Sequence, residues 1–172
     1  FWGWYEGLSD AERINITAAP LNKLRAFVMR PAVRAIVGQA QPTVSMSDVV
    51  NGGKVLLVSL AAGLLGTEAA SLLGALVFAE LWHTTLARAG LPAAERRPCM
   101  AYLDEFQNVV RLPTPMPSVL AESRGLSVGY VVAHQHMQQL SPELRDAVLA
   151  NARSRSELPP VLRSASVCWL MM

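Results

Sequence analysis

The sequence predicts an α/β fold in which a mostly parallel sheet is flanked by helices. Three short runs, at 55–60, 99–103 and 128–133, have the nearly unbroken hydrophobicity of strands that are covered on both faces. Segments with helical spacing of apolar residues separate these runs, and such alternation is typical of parallel sheets with right-handed crossovers. In sheets of this kind, ligands bind at the carboxyl ends of the strands.

Length and composition fit one globular domain or a large part of one, since the chain has 172 residues, of which 52% are apolar and 16% charged. Cys99 and Cys168 are far apart and lack Cys-x-x-Cys spacing, which argues against a disulfide framework or a zinc ribbon and fits a reducing, cytoplasmic setting. With 15 basic and 13 acidic residues, the net charge alone does not indicate nucleic-acid binding.

The amino-terminal part of the chain predicts helices. Ser9 and Glu12 form a capping-box pattern that begins a short helix, and Pro20 suits the first turn of a second one. Pro31 should kink or restart that second helix, and Gly38 is placed to end its continuation.

The stretch 55–82 is long and apolar enough to cross a membrane, because its only formal charges are Glu68 and Glu80. Gly63 and Gly66 divide it, and both carboxylates would be costly inside a bilayer. We therefore interpret the stretch as a buried strand, a turn and a helix, with a transmembrane span as the alternative.

The rest of the chain continues the alternation of strands and helices. Thr67 can cap a helix that Gly90 and Pro92 end. The elements predicted after it are a strand at 99–103, a proline-rich loop at 112–117, a short helix at 118–124, a strand at 128–133 and a helix from Ser141.

Two adjacent carboxylates, Asp104 and Glu105, end the predicted strand at 99–103. An apolar strand that ends in Asp-Glu matches the Walker B arrangement, in which the Asp holds the magnesium shell of a bound nucleotide and the Glu orients and deprotonates the attacking water. Asp104 is therefore a candidate magnesium-binding residue and Glu105 a candidate catalytic residue. The alternative is a solvated strand end followed by a helix cap.

Gln135 and Arg124 are further candidates. A glutamine at the end of the strand after a Walker B strand can hydrogen-bond the terminal phosphate or its water, and Gln135 has that position; the alternative is a polar loop residue. Arg124 can serve as an arginine finger that reaches a neighbouring subunit's nucleotide. Its local chemistry favours the alternative, a cation that stabilises a helix carboxyl terminus.

Four segments of this chain follow one another in an order that is typical of one protein family. They resemble consecutive motifs of type IV secretion coupling proteins, which are conjugative DNA-transfer ATPases of the FtsK and HerA branch of the P-loop NTPases. The similarity extends upstream to 53–60 and 65–70 and covers about residues 21–155. The four segments are Tyr102-Leu103-Asp104-Glu105-Phe106-Gln107-Asn108, Leu120-Ala121-Glu122-Ser123-Arg124-Gly125-Leu126-Ser127, Ala133-His134-Gln135 and Leu149-Ala150-Asn151-Ala152.

The resemblance implies part of a RecA-like motor domain that uses ATP and magnesium. Proteins of this family assemble as rings, usually hexamers, at the cytoplasmic face of the bacterial inner membrane, and they pump DNA or a nucleoprotein substrate toward a secretion channel. By their positions in these motifs, the resemblance implies that Asp104 binds magnesium and that Glu105 activates water. It also implies that Gln135 binds the phosphate and that Arg124 acts on the nucleotide of the neighbouring subunit in the ring.

The sequence departs from the family pattern in its phosphate-binding loop. It contains no Gly-x-x-x-x-Gly-Lys-Ser/Thr, and Gly52-Gly53-Lys54 is not a substitute because it precedes a predicted strand instead of joining a strand to a helix. We therefore expect this segment to bind ATP poorly by itself. We also expect the chain to be a piece of a longer protein, in which the Walker A strand and the membrane-anchoring helices precede Phe1.

A second departure follows Ser154, where the family continues into another apolar core strand. Here Ser156-Glu157-Leu158-Pro159-Pro160 intervenes, and two prolines do not fit a central strand. We therefore assign residues 1–154 to the carboxyl-terminal portion of the motor domain and predict that residues 155–172 are a divergent or frame-shifted tail.

Other sites are less well supported by the residues. His134 and His136 are spaced for one strand face, but no cluster of Cys, Asp or Glu nearby in the sequence completes a metal site. The serines lack the pattern of a hydrolase nucleophile. Two alternative functions stay open: a noncatalytic remnant that acts as an interaction module, and a small membrane-associated protein that uses the stretch 55–82.

Overall fold

The computed structural model of the protein describes residues 1–109, 116–134, 137–152, 154–156 and 167–171. The chain divides into two compact units. The first comprises Phe1–Pro42 and Ala61–Ala69, and the second comprises Thr43–Leu60 and the chain from Ala70 onward. Among the described residues, the α-helices are α1 (Trp2–Glu6), α2 (Asp10–Val28), α3 (Pro31–Val37), α4 (Met46–Gly52), α5 (Ala62–Leu65), α6 (Thr67–Ala87), α7 (Met116–Glu122) and α8 (Pro142–Asn151).

Helix α2 begins as predicted but is longer than predicted. The Ser9 hydroxyl accepts a hydrogen bond from the Glu12 amide, and the Glu12 carboxylate accepts one from the Ser9 amide at 2.9 Å. The hydrogen bonds from Ser9 lower the pKa of Glu12. The prediction of a separate helix from Pro20 is wrong, because α2 runs through this residue. An interior proline removes one backbone donor and crowds the carbonyl four residues before it, so it weakens this helix without ending it.

Helix α3 confirms the predictions at its two ends. Pro31 occupies its first position, where the missing amide hydrogen costs nothing. Gly38 caps its carboxyl terminus, and the Gly38 amide donates to the Arg34 carbonyl at 2.9 Å.

The strands of the described residues form one mixed sheet in the second unit. Its strands are β1 (Cys99–Leu103), β2 (Val128–His134), β3 (Ser154–Ser156) and β4 (Val167–Met171), in the spatial order β1-β2-β4-β3. β1 and β2 are parallel, whereas β4 is antiparallel to both β2 and β3. The α/β class is confirmed, but the mostly parallel sheet is not, because two of these three strand pairings are antiparallel.

The tail residues 155–172 contribute to this sheet through β4 and the end of β3. β4 pairs with β2 from Tyr130 opposite Met171 to His134 opposite Val167. Residues 157–166 lie outside the described part of the chain. The division at residue 154 and the frame-shifted origin of the tail stay predictions.

The run 55–60 is not the buried strand that its hydrophobicity predicts. Residues 54–61 have no regular secondary structure, and Val55 and Leu57 are 87% and 90% exposed. Gly53, before the run, has φ 68°, and the Arg97 guanidinium occupies the space that a Cβ atom would need there. A strand requires a neighbour for its backbone hydrogen bonds, and this run pairs with none of the described strands.

The core of the second unit lies where helix α6 packs against the sheet. Phe78 and Trp82 of α6 are buried in one hydrophobic cluster with Val128, Tyr130 and Val132 of β2. By length and composition alone, the helical stretch Thr67–Gly90 also qualifies as a candidate membrane span. The burial of Phe78 and Trp82 in this cluster is what the interpretation of this segment as a core helix predicts.

A buried arginine links the beginnings of β1 and β2. Arg88, in the turn that follows α6, is 1% exposed and donates hydrogen bonds to the carbonyls of Arg97 and Ser127. Arg97 lies two residues before β1, and Ser127 immediately precedes β2. The planar guanidinium, with several fixed donors, can bind both carbonyls at once. Burial lowers the pKa of Arg88.

Replacing Arg88 with Met should destabilise the protein by about 2–4 kcal/mol, because two carbonyl groups lose their charged donor. Urea denaturation followed by circular dichroism measures this change. The control is Arg145→Met, which removes an exposed arginine and should change the free energy of unfolding by less than about 0.5 kcal/mol. Equal effects of the two substitutions would contradict a structural role for Arg88.

Tyr130 provides a test of burial in the core. Burial raises its pKa from 10.0 to about 12, while the hydroxyls of Ser123 and Thr85 lower it in part. Because the folded state disfavours the phenolate, the free energy of unfolding should fall as the pH rises from about 10 to about 12, by up to about 3 kcal/mol. Urea denaturation at several alkaline pH values should show a smaller fall in Tyr130→Phe. Parallel pH curves for the two proteins would rule out this assignment.

Candidate functional site

The carboxyl ends of β1 and β2 lie next to each other in the sheet. The two strands pair in parallel from Cys99 opposite Val128 to Leu103 opposite Val132. Asp104 and Glu105 follow β1 directly, and β2 continues to His134. Parallel pairing thus brings the acidic pair to the edge of the sheet at which β2 also ends.

The turn after Glu105 is packed against the end of β2. Phe106 and His134 are both fully buried, and their ring centroids are 5.8 Å apart at a tilted angle of 56°. Phe106 belongs to the same hydrophobic cluster as Val132. This packing sets the position of the chain that immediately follows the acidic pair.

Helix α6 holds the same turn from another side. The turn is a short 3-10 helix, Phe106–Asn108, and the Ser71 hydroxyl donates to the Asn108 carbonyl at 2.5 Å. Val109, the next residue, is buried and lies close to Gly74 of α6. The acidic pair therefore precedes a turn that is fixed to two different elements of the second unit.

Glu105 has an unusual backbone conformation. Its φ is 47° and its ψ is 42°, in the left-handed region that residues other than glycine rarely adopt. The Asp104 carboxylate accepts a hydrogen bond from the Glu105 amide at 2.9 Å. Strained backbone of this kind is concentrated at functional sites, where the surrounding structure maintains it. The conformation turns the chain sharply at the strand end.

The two carboxylates differ in exposure and in partners. Asp104 is exposed, whereas Glu105 is half-buried. Oε2 of Glu105 accepts a hydrogen bond from Nε2 of Gln107 at 2.5 Å. An exposed carboxylate can serve a hydrated magnesium ion, which keeps most of its waters in proteins. A half-buried carboxylate whose orientation is restrained is suited to holding a water molecule as a general base.

Gln135 and Arg124, the other two sequence-predicted site residues, are placed differently. Gln135 lies outside the described residues, although it directly follows His134, the last residue of β2. Arg124 is exposed in the 3-10 turn Ser123–Leu126, at the beginning of β2. A seven-residue strand spans about 23 Å, so Arg124 lies roughly a strand length from the acidic pair. The structure does not bring Arg124 to Asp104 and Glu105 within one chain.

Of the two histidines considered as a metal pair, His134 is buried against Phe106. Among the residues that the structure describes, no group of three or more His, Cys, Asp or Glu side chains could hold a metal ion. His136 lies outside them. The hydroxyl of Ser123 is buried and donates to the Val119 carbonyl.

Sequence reasoning did not identify Gln107, Phe106 and His134 as parts of the site. Gln107 follows Glu105 by two residues, and this spacing alone does not predict a contact. The pairing of Phe106 with His134 depends on the strand register, which the sequence does not specify.

Comparison of the sequence with protein-family models, with curated proteins and with solved structures finds no match. Function is therefore inferred from the geometry of the strand ends and from the motif resemblance.

The left-handed conformation of Glu105 predicts that a glycine variant at this position is more stable than an alanine variant. Gly adopts this region without the steric cost of a Cβ atom, so Glu105→Gly should be more stable than Glu105→Ala by about 1 kcal/mol. Both variants lose the same carboxylate, and their comparison isolates the backbone. Thermal and urea denaturation measure the difference. At an ordinary helical position the order is reversed, so a more stable Ala variant would contradict the conformation.

Proposed function

We propose that this chain supplies the Walker B part of the nucleotide site in an ATP-driven, DNA-translocating motor of the coupling-protein type, with a RecA-like fold. The observation that carries the proposal is the acidic pair at the carboxyl end of β1, beside the end of a parallel neighbour that leads directly into Gln135. Ligands of parallel sheets bind at this edge. The motif resemblance supports the same assignment.

Each residue has a distinct role in this proposal. Asp104 would hold a magnesium ion through water, and the ion would neutralise charge on the phosphates. Glu105 orients the attacking water and accepts its proton. Gln135 hydrogen-bonds the terminal phosphate.

Arg124 acts on the nucleotide of a neighbouring subunit. Its distance from Asp104 and Glu105 within one chain argues against a role at the same site. In a ring, however, a residue at the opposite end of the strands can approach the site of the next subunit. The resemblance supports a hexameric ring, at the cytoplasmic face of the inner membrane, that moves DNA or nucleoprotein toward secretion-channel components.

In this proposal, the loop that binds the phosphates is supplied by polypeptide other than residues 1–172. The sequence contains no Gly-x-x-x-x-Gly-Lys-Ser/Thr loop, whose backbone amides would bind the phosphates. We therefore propose that residues 1–172 alone bind ATP weakly and that hydrolysis requires a chain in which such a loop joins them.

The test is Glu105→Gln in the natural polypeptide that carries this sequence. The substitution keeps the size of the side chain and one acceptor oxygen but removes the base. The rate of ATP turnover should fall by roughly 10²–10⁴-fold, while the dissociation constant for ATP with magnesium changes little. A coupled phosphate-release assay and equilibrium nucleotide binding measure the two quantities.

The control is Glu122→Gln, which changes an exposed glutamate at the end of α7 and should leave turnover unchanged. If the natural polypeptide hydrolyses ATP at the same rate with and without the Glu105 carboxylate, the proposed mechanism is wrong. If it binds no ATP at all, the motor function is wrong.

A second candidate function is a noncatalytic interaction module. The exposed apolar residues Val55 and Leu57 favour it, because monomeric proteins rarely leave such runs uncovered. Under this alternative, Val55→Ser and Leu57→Ser would abolish association with a partner, and Glu105→Gln would have no effect.

A further inference from the structure

We propose that Gln107 is a positioning residue for Glu105, which fixes the carboxylate in the orientation needed to hold the attacking water. This inference rests on the proposed function and adds a residue to its site. It is drawn from one hydrogen bond and from the way in which the surrounding structure holds both partners.

The hydrogen bond is short and involves a charged acceptor. Nε2 of Gln107 donates to Oε2 of Glu105 at 2.5 Å. Hydrogen bonds to ionised groups are stronger than those between neutral groups. Because one oxygen of the carboxylate is bound in this way, rotation of the Glu105 side chain is restricted.

The amide nitrogen of Gln107 donates to Glu105, although this orientation does not give the amide oxygen a hydrogen bond. Oε1 of Gln107 is buried, and no hydrogen-bond donor reaches it from the described part of the chain. Burying an acceptor without a donor is unfavourable. Rotating the amide by half a turn would place Oε1 against the carboxylate, which is worse because two acceptors would then repel each other. The Glu105 carboxylate therefore determines the orientation of this amide.

The backbone of Gln107 is fixed on both sides. Phe106, before it, is fully buried against His134, and the carbonyl of Asn108, after it, accepts a hydrogen bond from Ser71. A donor on a fixed turn can restrain a neighbouring carboxylate, whereas a donor on a mobile loop cannot. Positioning groups of this kind typically change activity by roughly 10- to 100-fold without touching the substrate.

Two other roles of the same hydrogen bond give different results. If the bond only stabilises the turn, its loss lowers stability and leaves turnover per folded molecule unchanged. If the bond holds Glu105 away from the water, its loss raises turnover. Positioning predicts a lower kcat, an unchanged KM for ATP and a folded protein.

The experiment compares Gln107→Leu, Gln107→Glu and Glu105→Gln in the natural polypeptide that carries this sequence. Gln107→Leu removes the donor, and kcat should fall by roughly 10- to 100-fold while KM for ATP stays within about twofold. Gln107→Glu replaces the donor with a second carboxylate, which repels Glu105, and should lower kcat at least as far. Urea denaturation measures the stability of each variant.

The matched control is Asn108→Leu, which removes an exposed amide side chain from the same turn and leaves the backbone carbonyl that Ser71 binds. Its kcat should equal that of the unaltered protein. If Glu105→Gln abolishes turnover but Gln107→Leu retains the full kcat or exceeds it, the positioning role is wrong and the proposed function stands. If Glu105→Gln retains turnover, the proposed role of Glu105 as the base is wrong, and the role of Gln107 fails with it.

Discussion

The parallel pairing of β1 with β2 is the constraint on which the rest of the second unit depends. Five residues of β1 pair with β2, and this short contact determines which side chains meet at each end of the sheet. Arg88 ties the beginnings of the two strands through the carbonyls of Arg97 and Ser127. Phe106 and His134 pack together where the strands end. The strand register is thus supported at both ends.

Different interactions hold the chain at the two ends of this strand pair. At the beginning of the strands, the buried guanidinium of Arg88 binds two backbone carbonyls, and these hydrogen bonds account for its burial without a ligand. At the end, the chain adopts a left-handed turn at Glu105, and a half-buried carboxylate is held by a neighbouring amide. The left-handed conformation is strained for a residue other than glycine, and the packed turn that follows Glu105 maintains it.

The run 55–60 shows that a hydrophobic sequence is not sufficient to form a buried strand. Its residues are as apolar as those of β2, yet β2 is buried between helix α6 and two neighbouring strands, whereas Val55 and Leu57 are exposed. The two segments differ in whether a neighbouring strand pairs with them, because a single extended segment cannot satisfy its own backbone hydrogen bonds. On the side of β2 away from β1, β4 supplies such a neighbour in antiparallel orientation, and it comes from the tail that the sequence predicts to diverge from the family pattern.

The sequence by itself determined the elements whose signals are local. The capping box at Ser9, the start of α3 at Pro31, the strands at 99–103 and 128–133 and the helix after Ser141 depend on neighbouring residues, and the structure confirms them, with the second strand one residue longer than predicted. It also singled out Asp104 and Glu105, because a motif is read from adjacent positions. Only the tertiary structure decided that 55–60 is unpaired, that Arg124 lies far from the acidic pair, and that Gln107 binds Glu105. These features depend on strand order, register and backbone conformation, which arise from contacts between residues that are distant in the chain and from steric details that no local pattern encodes.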